Sequence, residues 1–414
     1  MQKLKEMIGQ YQGLRHEVYI IFVAKIVNAM GCFVFPLLAL ILTDKIGLSK
    51  SETGKLMSLF GILFIPASMI GGKLCDVIGR KKIILICDFM AILSYAICGF
   101  IEPSMKLVYF IMAGAFFLFM ADPAHSAMLA DLTKPEDRER AYSLTYMGWN
   151  IGFAIGPVLG GLLYKNHLKW VFRGDALTAF VAFLLIAFFV KETIEEGQNE
   201  EALSKEEAHM EGSIFGVMKK RPLIVGLALV SIAYSFAYGQ WGFVLPIHSV
   251  LKDSAMGAQY YGYMAGFNGL IVIIFTPILT QVAKSKEALN KIIVGGWFYV
   301  IGFGVLGLYN PYWMFFVSVF IFTIGEIILA ITMMPFIMNQ TPANHRGRMN
   351  AILPIVMYSG NAFGPMVMGY YLEQHTIEQG WLLTGGFAGV GVILMILIKQ
   401  YHTRSVNLIK EDVA

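Results

Sequence analysis

The chain has 414 residues, 57% of them hydrophobic and only 14% charged, with a mean hydropathy of +0.64 and a formal net charge of +4. An ordinary soluble domain is roughly a quarter charged, so this composition excludes a water-facing globular protein and makes lipid the solvent. The net charge says little alone; its distribution along the chain says more.

Residues 1–16 are polar and charged and do not form a cleavable signal peptide. The apolar stretch after them is too long for a signal h-region and is expected to remain as a spanning helix. A bilayer core needs about 20 mostly apolar residues per helix. Twelve such segments follow: 17–42, 52–72, 83–101, 107–129, 141–164 and 171–190, then 222–249, 259–282, 290–309, 312–338, 348–372 and 380–400. The expected plan is an N-terminal six-helix bundle over 1–190, a linker over 191–221, a C-terminal bundle over 222–402 and a tail over 403–414. The linker, acidic in the middle and basic at its end, reads as a solvated tether. Four cysteines (Cys32, Cys75, Cys87, Cys98) lack metal-ligand spacing and read as small buried hydrophobes.

With the N-terminus inside, 23 of the 32 Lys and Arg residues fall in the inner segments and eight in the outer ones: Lys45, Lys50, Lys55, Lys106, Lys165, Lys169, Arg173 and Lys252. Lys25 alone lies within a span. This bias places both termini and the linker in the cytoplasm.

The halves repeat at an offset of 208 residues. "DRERAYSLTYMGWNIGFAIGPVLGG" (137–161) lies over "HRGRMNAILPIVMYSGNAFGPMVMG" (345–369), which pairs Arg138 with Arg346, Arg140 with Arg348 and Gly152 with Gly360. Gly156-Pro157 pairs with Gly364-Pro365, and Gly161 with Gly369. The same offset carries Gly54 to Gly262 and Gly61 to Gly269. Two parallel six-helix units with a midplane site between them are the architecture of many secondary transporters.

The twelve spans, the repeat and the local motifs resemble the major facilitator superfamily, in particular its twelve-helix drug/proton antiporters. The resemblance covers nearly the whole chain. It implies an all-α polytopic membrane protein, two six-helix bundles related by a pseudo-twofold axis. Residues 71–83, "GGKLCDVIGRKKI", resemble the family's loop between helices 2 and 3. Gly72, Leu74, Asp76, Gly79, Arg80 and Lys81 fit, and Val77 stands where an arginine is usual. Gly79 allows a tight turn, and Asp76 is expected to bond donors at a neighbouring helix N-terminus. In the family this loop latches the two halves; the alternative is a topology anchor. Lys284 stands at the repeat position of Asp76, so any latch is asymmetric.

"GFAIGPVLGG" resembles the antiporters' helix 5 motif, with Gly152, Gly156, Pro157, Gly160 and Gly161 at its fixed positions. Small residues four apart allow close helix contact and Pro157 bends the helix; the match favours export. The alternative is packing alone. Tyr146 and Asn150 fall opposite the glycine face and are expected to face the cavity.

Ionisable groups inside a membrane are costly and mark cavities or partners. Glu326, in "FTIGEIILAITMMP", is placed mid-helix, where a carboxyl can keep a proton while dry and release it when water arrives. It resembles the acidic residues of some multidrug/proton antiporters; the alternative is a structural hydrogen-bonded Glu. Asp122, with His125 three residues on, is a second candidate. Lys25 lies about 12 Å from the inner end of the first span at 1.5 Å per residue, a similar depth. In this fold helices 1 and 4 both line the cavity, which suggests a Lys25–Asp122 pair, with snorkelling of Lys25 to the surface as the alternative. Helix 4 lacks the arginine common in the drug antiporters. Arg173 and Asp175 read as a structural pair at the outer end of helix 6.

Aromatic rings and amides suit flat, apolar or cationic guests, which makes Tyr234, Tyr238, Gln240, Trp241, Asn28, Asn268, Tyr358 and Asn361 candidate cavity residues. They also suit helix contacts. No phosphate-binding G-x-x-x-x-G-K-[ST] loop and no catalytic or metal-ligand constellation is visible. The expectation is a non-enzymatic, proton-driven exporter of small amphipathic or lipophilic compounds, using no cofactor, metal or nucleic acid. It is expected to act as a monomer, multi-pass in the cell membrane. The alternatives are a carrier of one metabolite, peptide, metallophore or lipid, and a non-transporting sensor.

Overall fold

The computed structural model describes residues 11–193, 222–283, 286–340 and 353–411; these are helices and short connections, with no strand among them. The linker from residue 194 on, Lys284, and Arg346 and Arg348 of the repeat lie outside the described residues. Helix α1 (His16–Met30) and the short α2 (Val34–Leu40), which runs into a π-helical turn over Ile41–Lys45, make up the first span. Then come α3 (Lys50–Ile78), α4 (Arg80–Cys98), α5 (Met105–Asp131), α6 (Pro135–Tyr164) and α7 (Leu168–Phe189). The second half holds α8 (Pro222–Lys252), α9 (Gly257–Ala283), α10 (Ala288–Leu308), α11 (Tyr312–Gln340), α12 (Ser359–Tyr371) and α13 (Ile377–Glu411).

Ten segments among the described residues are long and apolar enough to cross a membrane. The other two predicted spans are α4, whose 19 residues include Arg80, Lys81, Lys82 and Asp88, and the one that ends in the 13-residue α12.

The first span departs from the single continuous helix expected. It breaks at Gly31–Phe33, between α1 and α2. Pro36 sits in the first turn of α2, where its missing N–H costs nothing, but an unbroken helix would lose the bond from residue 36 to residue 32. The buried Asp175 of α7 instead accepts from the Val34 N–H at 3.2 Å. Asp175 thus caps α2, and it does not pair with Arg173. The Arg173 guanidinium donates to the Gly99 carbonyl and stacks on Phe100 and Trp170.

The second correction concerns the loop after the second span. Helix α3 runs through Gly71 and Gly72 to Ile78, and Gly79 alone separates it from α4. Its φ of +115° is one that L side chains rarely adopt, so the turn is made in a single residue.

The described residues fall into two compact units. One takes its residues from Met1–Leu48, Leu59–Glu206 and Ser249–Leu270, the other from Ser49–Ser58, Glu207–His248 and Ile271–Ala414. Each therefore contains a short segment of the opposite half of the sequence, and the repeat explains how. In the first unit, a Cβ on Gly262 would overlap the Pro157 carbonyl and one on Gly161 would meet Ala258 and Gln259. In the second, a Cβ on Gly54 would overlap the Pro365 carbonyl and one on Gly369 would meet Lys50 and Ser51. A shift of 208 residues turns each member of the first set into its counterpart in the second, subtracted for Gly262, Ala258 and Gln259 and added for Pro157 and Gly161. The pseudo-twofold relation read from the sequence is thus expressed in two equivalent backbone-to-backbone crossings, α6 on α9 and α12 on α3. The second has extra polar bonds: the Lys50 ammonium donates to the Leu372 carbonyl at 3.3 Å, and the Ser51 N–H to Glu373 at 2.9 Å.

Candidate functional site

Glu326 lies in the middle of α11, where apolar residues on both sides keep the helix in the membrane. It is half-buried, and the Tyr238 hydroxyl of α8 donates to its Oε1 at 2.9 Å. Tyr238 stacks on Tyr299 of α10 with ring centroids 6.3 Å apart, and Tyr299 meets Tyr234 edge-on at 6.2 Å. The rings continue inward: Tyr299 on Phe303, Phe303 stacked on Phe322 at 4.7 Å, and Phe322 against Trp241 at 5.2 Å. All belong to the second unit, so Glu326 is one carboxyl at the end of an aromatic column built from three helices. Such a carboxyl can hold a proton or a cation, and the neighbouring π-faces attract a cation further. The sequence reading missed Tyr299, which is buried in an apolar helix with no polar neighbour to mark it.

Not every aromatic or amide candidate sits beside open space. Tyr234, Gln240, Trp241 and Asn268 are buried. Gln240 Nε2 donates to the Phe236 carbonyl, while its Oε1 and the Tyr234 hydroxyl have no hydrogen-bond partner among the described residues. Tyr146 and Tyr358 are exposed at 57% and 59%, and Asn361 is exposed with its Oδ1 close over Gly239. Asn28 and Asn150 are partly covered, and Asn150 Nδ2 donates to the Tyr146 carbonyl. The glycines of the helix 5 motif are packing surfaces. Gly152 and Gly156 lie on the α1 backbone, Gly160 on Phe33 and Leu37, and Gly161 on α9.

The suggested Lys25–Asp122 pair is absent. Lys25 is on the face of α1 that meets α6, and its ammonium lies 5.3 Å from the centre of the Trp149 ring. Asp122 is exposed on α5. His125 is not its charge partner either: His125 Nε2 lies 3.2 Å from Asp88 Oδ2 of α4. Asp88, inside the third span at "LICDFM", escaped the sequence reading although an intramembrane carboxyl was signal enough.

The Gly72–Lys81 turn is bound from below by two carboxylates that the sequence did not single out. Arg80 is buried, its Nε 3.1 Å from Asp131 at the end of α5, and its Nη1 donates to the Cys75 carbonyl. Glu192, just past α7, accepts the Arg80 N–H at 2.8 Å and the Lys81 N–H at 3.1 Å. It therefore caps α4, where a helix favours an anion. Asp76, expected to cap a neighbouring helix, instead lies exposed 3.3 Å from Arg80. Thr193 donates to Asp131 and the Lys81 ammonium to the Ala187 carbonyl, which completes the knot. Every member belongs to the first unit.

A bundle of apolar helices with a few ionisable groups at membrane depth defines a polytopic membrane carrier. The family model described as Major Facilitator Superfamily matches residues 21–304 and 290–412, and the chain belongs to that superfamily. It is 22% identical over 409 residues to a Na(+), Li(+), K(+)/H(+) antiporter of Planococcus maritimus, covering 92% of this chain and 95% of that one. To the multidrug resistance protein MdtH of Escherichia coli it is 22% identical, covering 89% and 90%. Among solved structures it resembles the nucleoside transporter NupG (TM-score 0.77, 13% identity, 94% and 100% covered). It also resembles a peptide transporter POT bound to sulfate (TM-score 0.74, 17% identity, 94% of each chain). These likenesses establish the major facilitator fold.

Proposed function

We propose that this chain is a proton-coupled antiporter that exports small amphipathic or lipophilic compounds, with Glu326 as the group that exchanges proton for substrate. The observation that carries this reading is the Tyr238–Glu326 hydrogen bond at the end of an aromatic column. Protonated, Glu326 is neutral and its site has no charge to offer a cation. Ionised, it is an anion beside the Tyr238 ring, which stacks on Tyr299, and this setting favours a flat or lipophilic cation. One site thus binds proton or cation, and exclusive occupancy is the requirement of exchange. Asp122 is a second acid available to protons. The proposed cycle rocks the halves 1–190 and 222–402 about the tether 191–221, with both termini and the 403–414 tail in the cytoplasm of a monomer in the cell membrane. The proton gradient is its energy source.

A second reading, exchange of an alkali-metal cation for protons, is favoured by the activity named for the Planococcus relative. One experiment serves both. Tetraphenylphosphonium, sodium or potassium is added to the detergent-solubilised protein in weak buffer while pH is recorded. Proton release with tetraphenylphosphonium, lost in Glu326→Gln, supports the first reading; release with the metal ions alone supports the second. Release that survives Glu326→Gln removes Glu326 from the mechanism.

A further inference from the structure

We infer that the first unit carries a binding site for a phosphate anion, the headgroup of an anionic phospholipid, at the end the charge count places outside the cell. A cavity of about 420 Å³ opens there between the π-helical end of the first span, the loop before α5 and the start of α7. Its lining includes Lys45, Lys165, Lys169 and Arg173 against a single carboxylate, Glu102. These are four of the eight basic residues in the outer segments of the sequence. Cations on that side are not accounted for by topology, since the positive-inside bias concerns the opposite face. Their convergence on one cavity needs another reason.

Three of the four cations are already engaged by protein groups. Arg173 is fixed by the Gly99 carbonyl at 3.1 Å and stacks 4.6 Å from Phe100 and 5.5 Å from Trp170. The Lys45 ammonium rests 4.7 Å over the Tyr164 ring, 3.5 Å from Asp44. Lys169 holds Glu102 at 2.5 Å. Lys165 is exposed at the rim. Counting Asp44 and Glu102 against the four cations leaves two positive charges, which matches a phosphate with a counter-charge to spare. A preorganised guanidinium suits phosphate better than a mobile ammonium, and Arg173, already fixed, has little side-chain entropy left to lose on binding.

The aromatics select the lipid over a soluble anion. Trp170, 54% exposed beside the cavity, is the kind of ring that settles at headgroup depth, and Phe100, 73% exposed, adds apolar surface next to it. A headgroup phosphate in the basic cavity would lay its acyl chains along the apolar sides of α4 and α7. Basic pockets between spanning helices hold anionic headgroups by this chemistry on the cytoplasmic side, and the proposal extends it to the other leaflet.

The test uses the full-length protein in detergent, titrated with phosphatidylglycerol or phosphatidylcholine and read by native mass spectrometry, with thermal unfolding as the fold control. Phosphatidylglycerol is expected to be retained about tenfold over phosphatidylcholine, with most of that preference lost in K45Q/K165Q. K106Q/K252Q, which removes two outer charges that do not line the cavity, should leave it unchanged. Glu102→Gln frees Lys169 and should raise retention, a gain that misfolding cannot imitate. Equal retention of both lipids, or equal losses in the two double variants, would overturn the site. Displacement of bound lipid by millimolar inorganic phosphate supports the anion chemistry; phosphate binding with no lipid preference overturns the lipid assignment.

Discussion

Glu326 and Tyr238 come from spans 88 residues apart, and only their meeting gives either a role. A hydrogen bond to a charged group contributes about 1.5–3 kcal/mol. Tyr238→Phe keeps the ring stack on Tyr299 and deletes the donor. It is therefore expected to slow pH-gradient-driven transport roughly tenfold, with a stability loss of no more than about 1.5–3 kcal/mol, measured on the same purified protein. Arg80 and Asp131 pose the opposite case, a buried pair with structural duty. Leaving one partner behind costs about 3–5 kcal/mol, so Asp131→Asn or Arg80→Ala should sharply lower the unfolding temperature in detergent. The double change Arg80→Met with Asp131→Leu should recover part of that loss. If the double variant is no better than the singles, the pair is not what holds this turn.

The elements themselves were largely legible. Hydropathy over twenty-residue windows found the spans because lipid imposes one length and one polarity on all of them. The break in the first span was not legible as such, although Gly31 and Pro36 marked the place. What decides it is an acceptor from α7, Asp175, 141 residues away. Asp175→Ala leaves the Val34 N–H buried without its acceptor and is expected to cost about 1–3 kcal/mol, whereas Asp175→Asn keeps an acceptor and should cost less. Equal effects in unfolding measurements would mean that the cap is incidental. The turn at Gly79 was recognised by motif, yet its true anchors, Glu192 and Asp131, lie at the far ends of other helices. Lys25 and Asp122 show the limit of depth arguments. Equal depth does not fix azimuth, and the α1–α6 contact turns Lys25 toward Trp149.

At the scale of the whole molecule, the 208-residue repeat predicted an internal symmetry, and the paired crossings at Gly262–Pro157 and Gly54–Pro365 express it. Their backbones are close enough that a Cβ has no place. Gly262→Val and Gly54→Val are each expected to destabilise by about 1–3 kcal/mol through overpacking, and similar losses at both positions would follow from their equivalence. The asymmetry is chemical: the aromatic column and Glu326 lie in the second unit, while the first holds the Arg80 knot. On the proposed mechanism, coupling belongs to the second unit and the structural turn to the first. The central claim is that Glu326 carries the exchanged proton. Its most direct test is a comparison of two modes in the same proteoliposomes, accumulation of a lipophilic cation driven by an imposed pH gradient and substrate-for-substrate counterflow without one. Glu326→Gln is predicted to abolish the first and to weaken the second, because the amide, like the protonated acid, offers the cation no charge. Gradient-driven accumulation at the wild-type rate in Glu326→Gln would contradict the account.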